Sequence, residues 1–483
     1  MSQLFDAVNN VTTTENGALT HKSSLNKVLD LFSMGGAMRN RPTTDIVSMV
    51  KSAYAEDNLK TIETLLYLRD IRGGQGERKV FREGIKALKE SLNTSALIKA
   101  IVEVGSWKDV FTIFTVDEYA PFVKEAYEKH ISEDKYDLME KWMPSIGGGK
   151  NKEAEALASK LGLTPKQYRK YLSKARATLN LVETNMCSNK WGEISYSGVP
   201  SRAGLLYRSA FIKHDNDRYR KYLADVMSDK EGVKMNAKAL YPYEITKKII
   251  ESFDSYSSSE DESLEALWKS LPNYCGDENA LVVADTSGSM TCFGGMPMAV
   301  STSLAIYFAE RNKGAFHNEF ITFSGRPVFH QFKEDMTLSE RVAEMVRMNI
   351  CDNTDLKKTF EILLERAKKY NIPKSEMPKT LYVVSDMEFD IATYRGSRAF
   401  NSDVIRKMYE DAGYDMPNLI FWNVNSHQNN VPVTFNEQNV ALVSGCSPSV
   451  FGMAISGDLN PLKFMLNAIE VERYKSLAES ILA

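Results

Sequence analysis

Cysteine motifs that hold zinc or staple a small fold are absent from this chain of 483 residues. The cysteines are odd in number, and no two of them form a Cys-x-x-Cys pair: they are Cys187, Cys275, Cys292, Cys351 and Cys446. The six histidines do not cluster at metal-ligand spacing either. These absences exclude a Cys-rich zinc site and a disulfide framework, and they predict reduced thiols in a cytoplasmic protein.

Signals for secretion or membrane insertion are also lacking. The first ten residues, MSQLFDAVNN, have neither a basic n-region nor an apolar h-region, so no secretory signal is predicted. No apolar run reaches the roughly 20 residues that a membrane helix needs. We therefore expect no membrane partner.

Motifs of nucleotide and nucleophile chemistry are missing as well. The stretch Gly147–Lys150 looks like the end of a phosphate loop, but Asn151 stands where such a loop has Ser or Thr. The chain has no Gly-x-Ser-x-Gly elbow that would expose a serine nucleophile. We expect a binding protein and not an enzyme.

Charge is distributed unevenly along the chain. Residues 1–250 contain 39 Lys and Arg against 31 Asp and Glu, a net charge of +8, whereas residues 251–483 contain 21 against 32, a net charge of −11. Within residues 151–250 alone the counts are 19 and 10. A basic first part beside an acidic second part argues for two domains with different partners, and a local basic excess is expected where phosphate groups bind. The alternative is a solvated surface with no nucleic-acid role.

The pattern of apolar residues divides the chain into four segments. Residues 1–23 are polar and predict a flexible N-terminus. Residues 24–253 have helical periodicity, as in the stretch from Asp57 to Asp70, and predict an α-helical repeat module of the HEAT-like solenoid type or a bundle. Residues 254–278 include the Ser-rich acidic run DSYSSSEDES and predict a linker. Residues 279–483 form the fourth segment, in which the pattern of apolar residues is different.

In this last segment short apolar runs alternate with helical patterns. The predicted strands are 280–284, 319–323, 380–384, 418–424 and 440–444. The predicted helices lie near 297–311, 337–348, 356–369, 402–412 and 461–481. Strands that alternate with helices predict βαβ units and a mostly parallel, doubly wound, Rossmann-like sheet covered on both faces. The predicted fold class of the whole chain is therefore α plus α/β.

One carboxylate and two hydroxyls follow the first of these strands. Asp285, Ser287 and Ser289 lie on a tight turn between the buried strand and a helical segment. The carboxyl end of a strand is where open α/β sheets bind ligands. The oxygen atoms of these side chains suit Mg²⁺ or Ca²⁺ better than zinc. We therefore predict a site for Mg²⁺ or another hard divalent cation.

The Asp-x-Ser-x-Ser pattern resembles the metal-ion-dependent adhesion site of von Willebrand factor A domains. That family takes a further Thr from a second loop and a further Asp from the end of a later strand. Thr354, which precedes a helical pattern, and Asp386, which ends an apolar run, stand in the matching places. The resemblance implies that Ser287, Ser289 and Thr354 coordinate the cation directly, whereas Asp285 and Asp386 act through water.

The helical segment carries many cations and aromatic rings. In residues 161–177 (LGLTPKQYRKYLSKARA) the cations recur at helical spacing and share one face. The candidate phosphate-binding residues are Lys166, Arg169, Lys170, Lys174, Arg176, Arg202, Arg208, Lys213 and His214. The rings that lie between them are candidates for stacking on unpaired bases, namely Tyr168, Tyr171, Trp191, Tyr207 and Tyr219. The alternative is that these rings are half-buried core.

Two further stretches are unusual for plain core helices. Residues 65–82 read LLYLRDIRGGQGERKVFR, and residues 104–111 read VGSWKDVF. The Arg-Gly-Gly-Gln-Gly turn in the first stretch joins two predicted helices and is flanked by arginines.

Together these stretches resemble the TROVE module of Ro ribonucleoproteins, and more closely a set of Ro-like proteins from bacteria, phages and plants. The order of a helical module first and an A-like domain last is also similar. The resemblance implies a ring of helical repeats that the A-like domain closes. It also implies that small structured RNA binds on a basic outer surface and that single-stranded RNA ends bind in the central hole.

The function that these patterns favour is RNA binding, with small or misfolded RNA held by the basic helices. The A-like domain would then serve as a ring clasp or as a dock for an acidic protein ligand at its cation. One alternative is a metal-dependent protein-interaction scaffold without RNA binding. A second alternative is a metal-dependent hydrolase that uses Asp285 and Asp386, but no general base or second-metal cluster is evident.

Overall fold

The computed structural model describes residues 9–253, 261–276, 279–313, 315–348, 355–389, 402–453 and 459–483. Its first element is an antiparallel hairpin of β1 (Val11–Thr13) and β2 (Leu19–His21). This hairpin lies in the segment that the sequence predicted to be flexible. It is held by the C-terminal part of the chain, because the backbone groups of His21 and Val431 exchange hydrogen bonds of 3.1 and 2.9 Å. Such a long-range pairing leaves no trace in the local composition of residues 1–23.

The helical part follows the hairpin, as predicted. Helices α1 to α13 are Lys27–Gly35, Thr43–Glu56, Asn58–Arg69, Lys79–Leu88, Thr94–Val104, Trp107–Ile113, Val116–Glu133, Leu138–Trp142, Asn151–Lys160, Pro165–Thr178, Val182–Cys187, Ser201–Met227 and Pro242–Phe253. Several begin where the sequence signals a cap. The Asp57 carboxylate accepts a hydrogen bond of 2.9 Å from the backbone N–H of Lys60, and Thr164 and Gln167 form a capping box at α10.

The segment predicted as a linker contains a helix. Helix α14 spans Glu262–Lys269, and Asp261 caps its first turn. Leu264, Leu267 and Trp268 are buried, since their spacing of three and four residues places them on one face. The acidic Ser-rich composition of residues 254–263 therefore describes only the approach to this helix, and residues 254–260 lie outside the described part.

The C-terminal part is an α/β unit around one six-stranded sheet. Its strands are β3 (Ala280–Asp285), β4 (Glu319–Phe323), β5 (Phe329–Gln331), β6 (Thr380–Ser385), β7 (Asn418–Asn423) and β8 (Val440–Ser444). Its helices α15 to α20 are Cys292–Arg311, Leu338–Arg347, Leu356–Tyr370, Ser402–Asp411, Pro461–Ile469 and Glu472–Leu482. All five predicted strands are present, whereas the three-residue strand β5 was not predicted.

The strand order of this sheet is β5-β4-β3-β6-β7-β8, and only β5 runs antiparallel to its neighbour. Strand β3 pairs with β4 on one side and with β6 on the other. The chain therefore leaves β3 toward one edge of the sheet and later returns to build the other half. Such a reversal opens a crevice at the carboxyl ends of the two central strands, where open α/β sheets bind their ligands. The mostly parallel sheet confirms the predicted fold class, which was α plus α/β.

The helical part and the sheet are packed together at both ends of the chain. The backbone N–H of Gly36, at the end of α1, donates to the Ser444 hydroxyl over 2.9 Å, and that hydroxyl donates to the carbonyl of Phe32 over 2.8 Å. The last helix, α20, returns to the helical part, where the Tyr474 hydroxyl donates to Asp70 over 3.0 Å. Residues 472–482, predicted as the end of the α/β domain, thus pack on α3 and α5.

Helix α15 and the turn before it form a long apolar stretch. The stretch Gly288–Arg311 has the length and hydropathy of a membrane span, and 72% of its most apolar window is buried inside the protein. This burial is that of a core helix packed between β3 and α13.

Candidate metal centre

The predicted cation site lies at the reversal point of the sheet. Asp285 is the last residue of β3, and Asp386 directly follows β6. The two strands are parallel neighbours with Ala284 opposite Val384, so the loops after both strands emerge at the same edge. The topology thereby brings together two carboxylates that are about a hundred residues apart in the sequence.

Both carboxylate oxygens of Asp285 are held by the protein. The backbone N–H of Ser287 donates to Oδ1 over 2.9 Å, and the hydroxyl of Ser385 donates to Oδ2 over 2.6 Å. The side chain is 1% exposed. Burial, and next the neighbouring Asp386, raise the pKa of Asp285 to about 6. A buried carboxylate whose pKa is raised by burial and by a second carboxylate is an arrangement that a cation would stabilise.

The two predicted serine ligands lie on the turn that follows Asp285. The Oγ atoms of Ser287 and Ser289 are 3.1 Å apart, and both residues are half-buried. Their hydroxyls therefore line one spot that solvent reaches, whereas the carboxylates behind them are enclosed. This division agrees with a cation that touches the serines and meets the aspartates through water.

One oxygen of Asp386 supports the fit of a cation most directly. Oδ1 accepts a hydrogen bond of 3.2 Å from the backbone N–H of Glu388, but Oδ2 is buried and, among the described residues, has no hydrogen-bond partner. The His427 ring approaches this oxygen, with its Nε2 3.6 Å from Oδ2. A buried carboxylate oxygen without a partner is costly, so the donor set fits a hard divalent cation.

The fifth predicted ligand, Thr354, lies outside the described residues. Helix α17 begins two residues later, and the Asp355 carboxylate caps it by accepting from the backbone N–H of Lys358 over 3.1 Å. The ammonium of Lys358 donates to the carbonyl of Gly325, in the loop after β4, over 2.8 Å. The start of α17 is thus at the same edge of the sheet as Asp285.

Sequence reasoning missed a polar cluster beside the two aspartates. The Asn425 amide nitrogen is 2.7 Å from Nε2 of His427 and 3.4 Å from the sulfur of Cys292. The Asp386 carboxylate, 3.6 Å from the ring, raises the pKa of His427, against the opposing effect of burial. The run of polar residues after β7 was the sequence signal that could have predicted this cluster. Because β7 is the parallel neighbour of β6, the loops after both strands must emerge at the same edge of the sheet.

The hairpin of the N-terminus closes another side of this site. Glu388 is buried, and its carboxylate accepts from the backbone N–H of Glu15 over 2.7 Å and from the Asn430 amide over 3.1 Å. Burial raises the pKa of Glu388. Glu388 is therefore fixed by the N-terminal hairpin and by the segment after β7.

The predicted phosphate-binding residues fall into two groups. Four of them form hydrogen bonds or ion pairs within the protein. The Arg176 guanidinium donates to the carbonyls of Glu140 and Met143. The other three are ion-paired: Lys174 with Asp134 at 2.8 Å, Arg202 with Glu244 at 3.1 Å and Arg208 with Asp261 at 2.8 Å. These pairings join positions far apart in sequence, so helical spacing alone did not reveal them.

The remaining five are exposed to solvent, namely Lys166, Arg169, Lys170, Lys213 and His214. The first three lie together on the outer face of α10, and within the described chain none has an ion-pair partner. The His214 ring stacks on Trp191 with centroids 4.4 Å apart.

Three of the rings predicted to stack on bases are core residues instead. Tyr168, Tyr171 and Tyr219 are 0%, 9% and 2% exposed. On α10 the two tyrosines face inward because they occupy the apolar positions of an amphipathic helix. Trp191 and Tyr207 are half-buried and keep part of their rings accessible.

One histidine lies in a cluster that the sequence did not predict. His130, Asp137 and Glu140 have side-chain atoms within 4.8 Å of one another. The cluster is satisfied without an ion, since one Glu140 oxygen contacts His130 Nδ1 at 2.7 Å and accepts from the Tyr171 hydroxyl at 2.6 Å. The other oxygen accepts from the backbone N–H of Asp137 at 3.0 Å.

In comparison with known proteins, the models of two families match most of the chain. Residues 14–141 and 150–274, together more than half of the chain, match the family described as domain of unknown function DUF2828. The chain belongs to this family. Residues 279–464 match a second family, described as domain of unknown function DUF7788. The two matches meet between residues 274 and 279, where helices give way to the sheet.

Two individual proteins are similar over nearly the whole chain. Uncharacterized protein L728 of Acanthamoeba polyphaga mimivirus is 27% identical over 514 residues, which cover 95% of this DUF2828 protein and 87% of the viral protein. The crystal structure of the Deinococcus radiodurans RO (RSR) protein covers 92% of this chain and 93% of its own, at 14% identity and a TM-score of 0.37. That structural score is too low to argue from.

Proposed function

We propose that this protein binds RNA through the exposed cations of its helical part and holds Mg²⁺ or a similar cation in its α/β part. The role is binding and not catalysis. In this proposal the helical part is a TROVE-like repeat module, and the α/β part is a von Willebrand A-like domain whose Thr354 completes the cation site. Small or misfolded RNA is the ligand class that the resemblance to Ro implies.

The observation that carries the RNA proposal is the outer face of α10. Lys166, Arg169 and Lys170 are exposed on this face, and in the described ranges no carboxylate neutralises them. RNA phosphates hold an atmosphere of condensed cations, and protein cations that neutralise the phosphates release those counterions into solution. A face of this kind binds phosphate backbones without reading their sequence.

An exposed stacked pair of rings elsewhere on the helical part supports base contacts. Trp191 is half-buried, and the exposed His214 ring covers it with an interplanar angle of 8°. Lys213 is exposed next to His214 in the sequence. Unpaired bases stack on aromatic side chains with little regard to sequence, so this pair suits single-stranded or misfolded RNA.

In the α/β part, a bound cation would supply a positive charge with an open coordination position. Ser287 and Ser289 would hold it at the surface, and the enclosed Asp285 and Asp386 would balance its charge. A carboxylate of a partner protein, or a phosphate, fits the remaining position. The site would then act as a clasp or dock for a ligand that the helices hold elsewhere.

A protein-interaction scaffold without RNA binding is the second candidate, and Phe293 favours it. This side chain is 52% exposed, and its ring centroid is 6.1 Å from that of His427 beside Asp386. Its φ of 52° is unusual for a bulky residue. An apolar side chain displayed next to a cation suits an acidic peptide with a neighbouring hydrophobic residue.

The RNA proposal is tested by reversing the charges of the α10 face. The triple variant K166E/R169E/K170E is compared with K368E/K407E/K475E, which reverses three exposed lysines of the α/β part. We expect the first variant to lose RNA binding by at least about a hundredfold, because three attractive charges become repulsive, while the second binds within about threefold of the unchanged protein. Binding is measured by fluorescence anisotropy with a misfolded small RNA, and circular dichroism checks both folds.

The two candidate functions give different outcomes in this experiment. Equal RNA affinity of the α10 variant and the unchanged protein would overturn the RNA proposal. Absence of RNA binding in the unchanged protein, together with Mg²⁺-dependent retention of an acidic peptide, would favour the scaffold.

A further inference from the structure

The turn between α3 and α4 gathers arginines around one buried carboxylate. Asp109 is fully buried, and its two oxygens lie 2.6 Å from Nη2 of Arg69 and 2.6 Å from Nη2 of Arg82. These arginines flank the Arg-Gly-Gly-Gln-Gly turn, and Asp109 belongs to the second unusual stretch, VGSWKDVF. The single negative charge of Asp109 is therefore shared by two guanidinium groups.

A third arginine reaches this turn from the start of α12. Arg202 is paired with Glu244 at 3.1 Å, and Glu244 also accepts from the backbone N–H of Tyr241 at 2.9 Å. The hydroxyl of Tyr241 lies against Gly76, since a Cβ atom on that glycine would be 2.0 Å from it. The close contact places the ion pair of Arg202 beside the turn.

Arg78 completes the group and has no counter-ion. It is exposed at the start of α4, and among the described residues it has neither an ion-pair nor a hydrogen-bond partner. Partial burial, and then repulsion from Arg202, Arg69 and Arg82, lower the pKa of Arg78, and Asp109 opposes this shift. Four guanidiniums and two carboxylates, those of Asp109 and Glu244, leave a net charge of about +2 at this turn.

Two buried donors beside this charge are unused. Nη1 of Arg69 and the hydroxyl of Tyr241 are both enclosed, and neither has a hydrogen-bond partner in the part of the chain that the structure describes. Arg69 is 2% exposed and Tyr241 is 8% exposed. A buried donor without an acceptor is rare in folded proteins and costs stability. An anion that enters from the side of Arg78 would supply the missing acceptors.

We propose that this turn is a binding site for a phosphate dianion, with Arg78 as the exposed contact and Arg69, Arg82 and Arg202 as the supporting charges. Guanidinium groups bind phosphate oxygens in a two-pronged geometry, which suits a phosphate better than a halide ion. A charge of about +2 matches a terminal phosphate, whereas an internal phosphodiester carries only one negative charge. The proposal does not rest on RNA binding by α10, because no residue of that face takes part.

The site is tested by titrating the protein with inorganic phosphate in a calorimeter. We expect R78Q to weaken binding by at least about tenfold, because it removes the exposed charge and keeps the size of the side chain. The matched control is R72Q, since Arg72 is an exposed arginine on the same turn whose Nη1 reaches the carbonyl of Glu103 at 3.4 Å. This control should bind phosphate within about twofold of the unchanged protein. Y241F should weaken binding by a smaller factor, because it removes one donor only.

Two further titrations identify the source of the phosphate. If the ligand is an RNA end, an oligonucleotide with a 5′-phosphate binds more tightly than its 5′-hydroxyl form, and R78Q abolishes that preference. If the ligand is a small phosphate compound, inorganic phosphate and 5′-AMP bind in an Arg78-dependent manner and the two oligonucleotides do not differ.

Absence of saturable phosphate binding, or equal binding by R78Q and the unchanged protein, overturns the site. That result would not change the RNA binding expected of the α10 variant, so each of the two proposals can fail without the other.

Discussion

The hydroxyl of Ser385 donates a hydrogen bond of 2.6 Å to Oδ2 of Asp285, and thereby ties the end of β6 to the end of β3. Because Ser287 occupies the other oxygen through its backbone N–H, the Asp285 carboxylate is fixed in orientation. Among the described residues, Oδ2 of Asp386 has no hydrogen-bond donor, and the hydroxyls of Ser287 and Ser289 bond to each other at the rim. Ser385 thus positions the Asp285 carboxylate in the candidate cation site, although Ser385 belongs to none of the sequence motifs.

The first prediction concerns cation binding. Mg²⁺ at a hundred times its dissociation constant should stabilise the protein by about 2.7 kcal/mol, since only the folded chain assembles the site. The variant S287A should lose most of this stabilisation and still fold, because the Ser287 side chain is half-buried and contacts the Ser289 hydroxyl at the rim of the site. Thermal unfolding with and without Mg²⁺ measures the difference, and S209A, an exposed serine on α12, is the control. Equal stabilisation of S287A and S209A would refute the site.

The second prediction concerns pH in the presence of a chelator. The pKa of Asp285 is about 6 in the folded protein, raised by burial and by Asp386, whereas an unfolded Asp titrates near pH 4. Between these values the folded state binds more protons than the unfolded state. Its free energy of unfolding should therefore decrease as the pH rises from about 4 to about 6.

Substitution of Asp285 separates this effect from other titrations. D285N has no proton to lose at this position, so the slope of stability against pH should flatten in that range. The exposed Asp411 gives a matched control, and D411N should keep the slope. Urea unfolding in EDTA at a series of pH values provides the measurement, and a slope unchanged by D285N contradicts the assignment.

Local patterns predicted most of the fold, because most strands and helices show a periodic spacing of apolar residues. The Asp57 cap of α3 is visible in the sequence, and the Asp285 turn follows a buried run that can only be a central strand. Parallel neighbours then force their loops to one edge. The convergence of Asp285 and Asp386 was therefore accessible from the sequence.

Long-range pairings could not be predicted in this way. The β1–β2 hairpin is polar and short, and its order comes from Val431. Strand β5 has only three residues, too few for an alternating pattern. Arg202 and Arg208 looked like free cations because Glu244 and Asp261, which neutralise them, are about 40 to 50 residues away.

The third prediction concerns the salt dependence of RNA binding. Each cation that contacts a single-stranded phosphate contributes a slope of about −0.7 to the logarithm of affinity against the logarithm of salt concentration. K166Q, R169Q and K170Q should each reduce the magnitude of the slope by about that amount. K174Q is the control on the same helix, since Asp134 already pairs with Lys174 at 2.8 Å. Slopes that no α10 substitution changes would exclude phosphate contacts at this face.

The fourth prediction concerns the contact between α1 and the sheet. Gly36 has helical backbone angles that alanine adopts freely, but an added Cβ would lie 2.6 Å from the carbonyl oxygen of Ser444. G36A should therefore destabilise the protein by about 1–3 kcal/mol through overpacking, with no contribution from backbone strain. The control is G149A, where a Cβ would meet no atom within 4 Å. Urea unfolding of both variants measures the difference, and because Ser444 ends β8, a cost at Gly36 alone shows that α1 is docked on the sheet in solution.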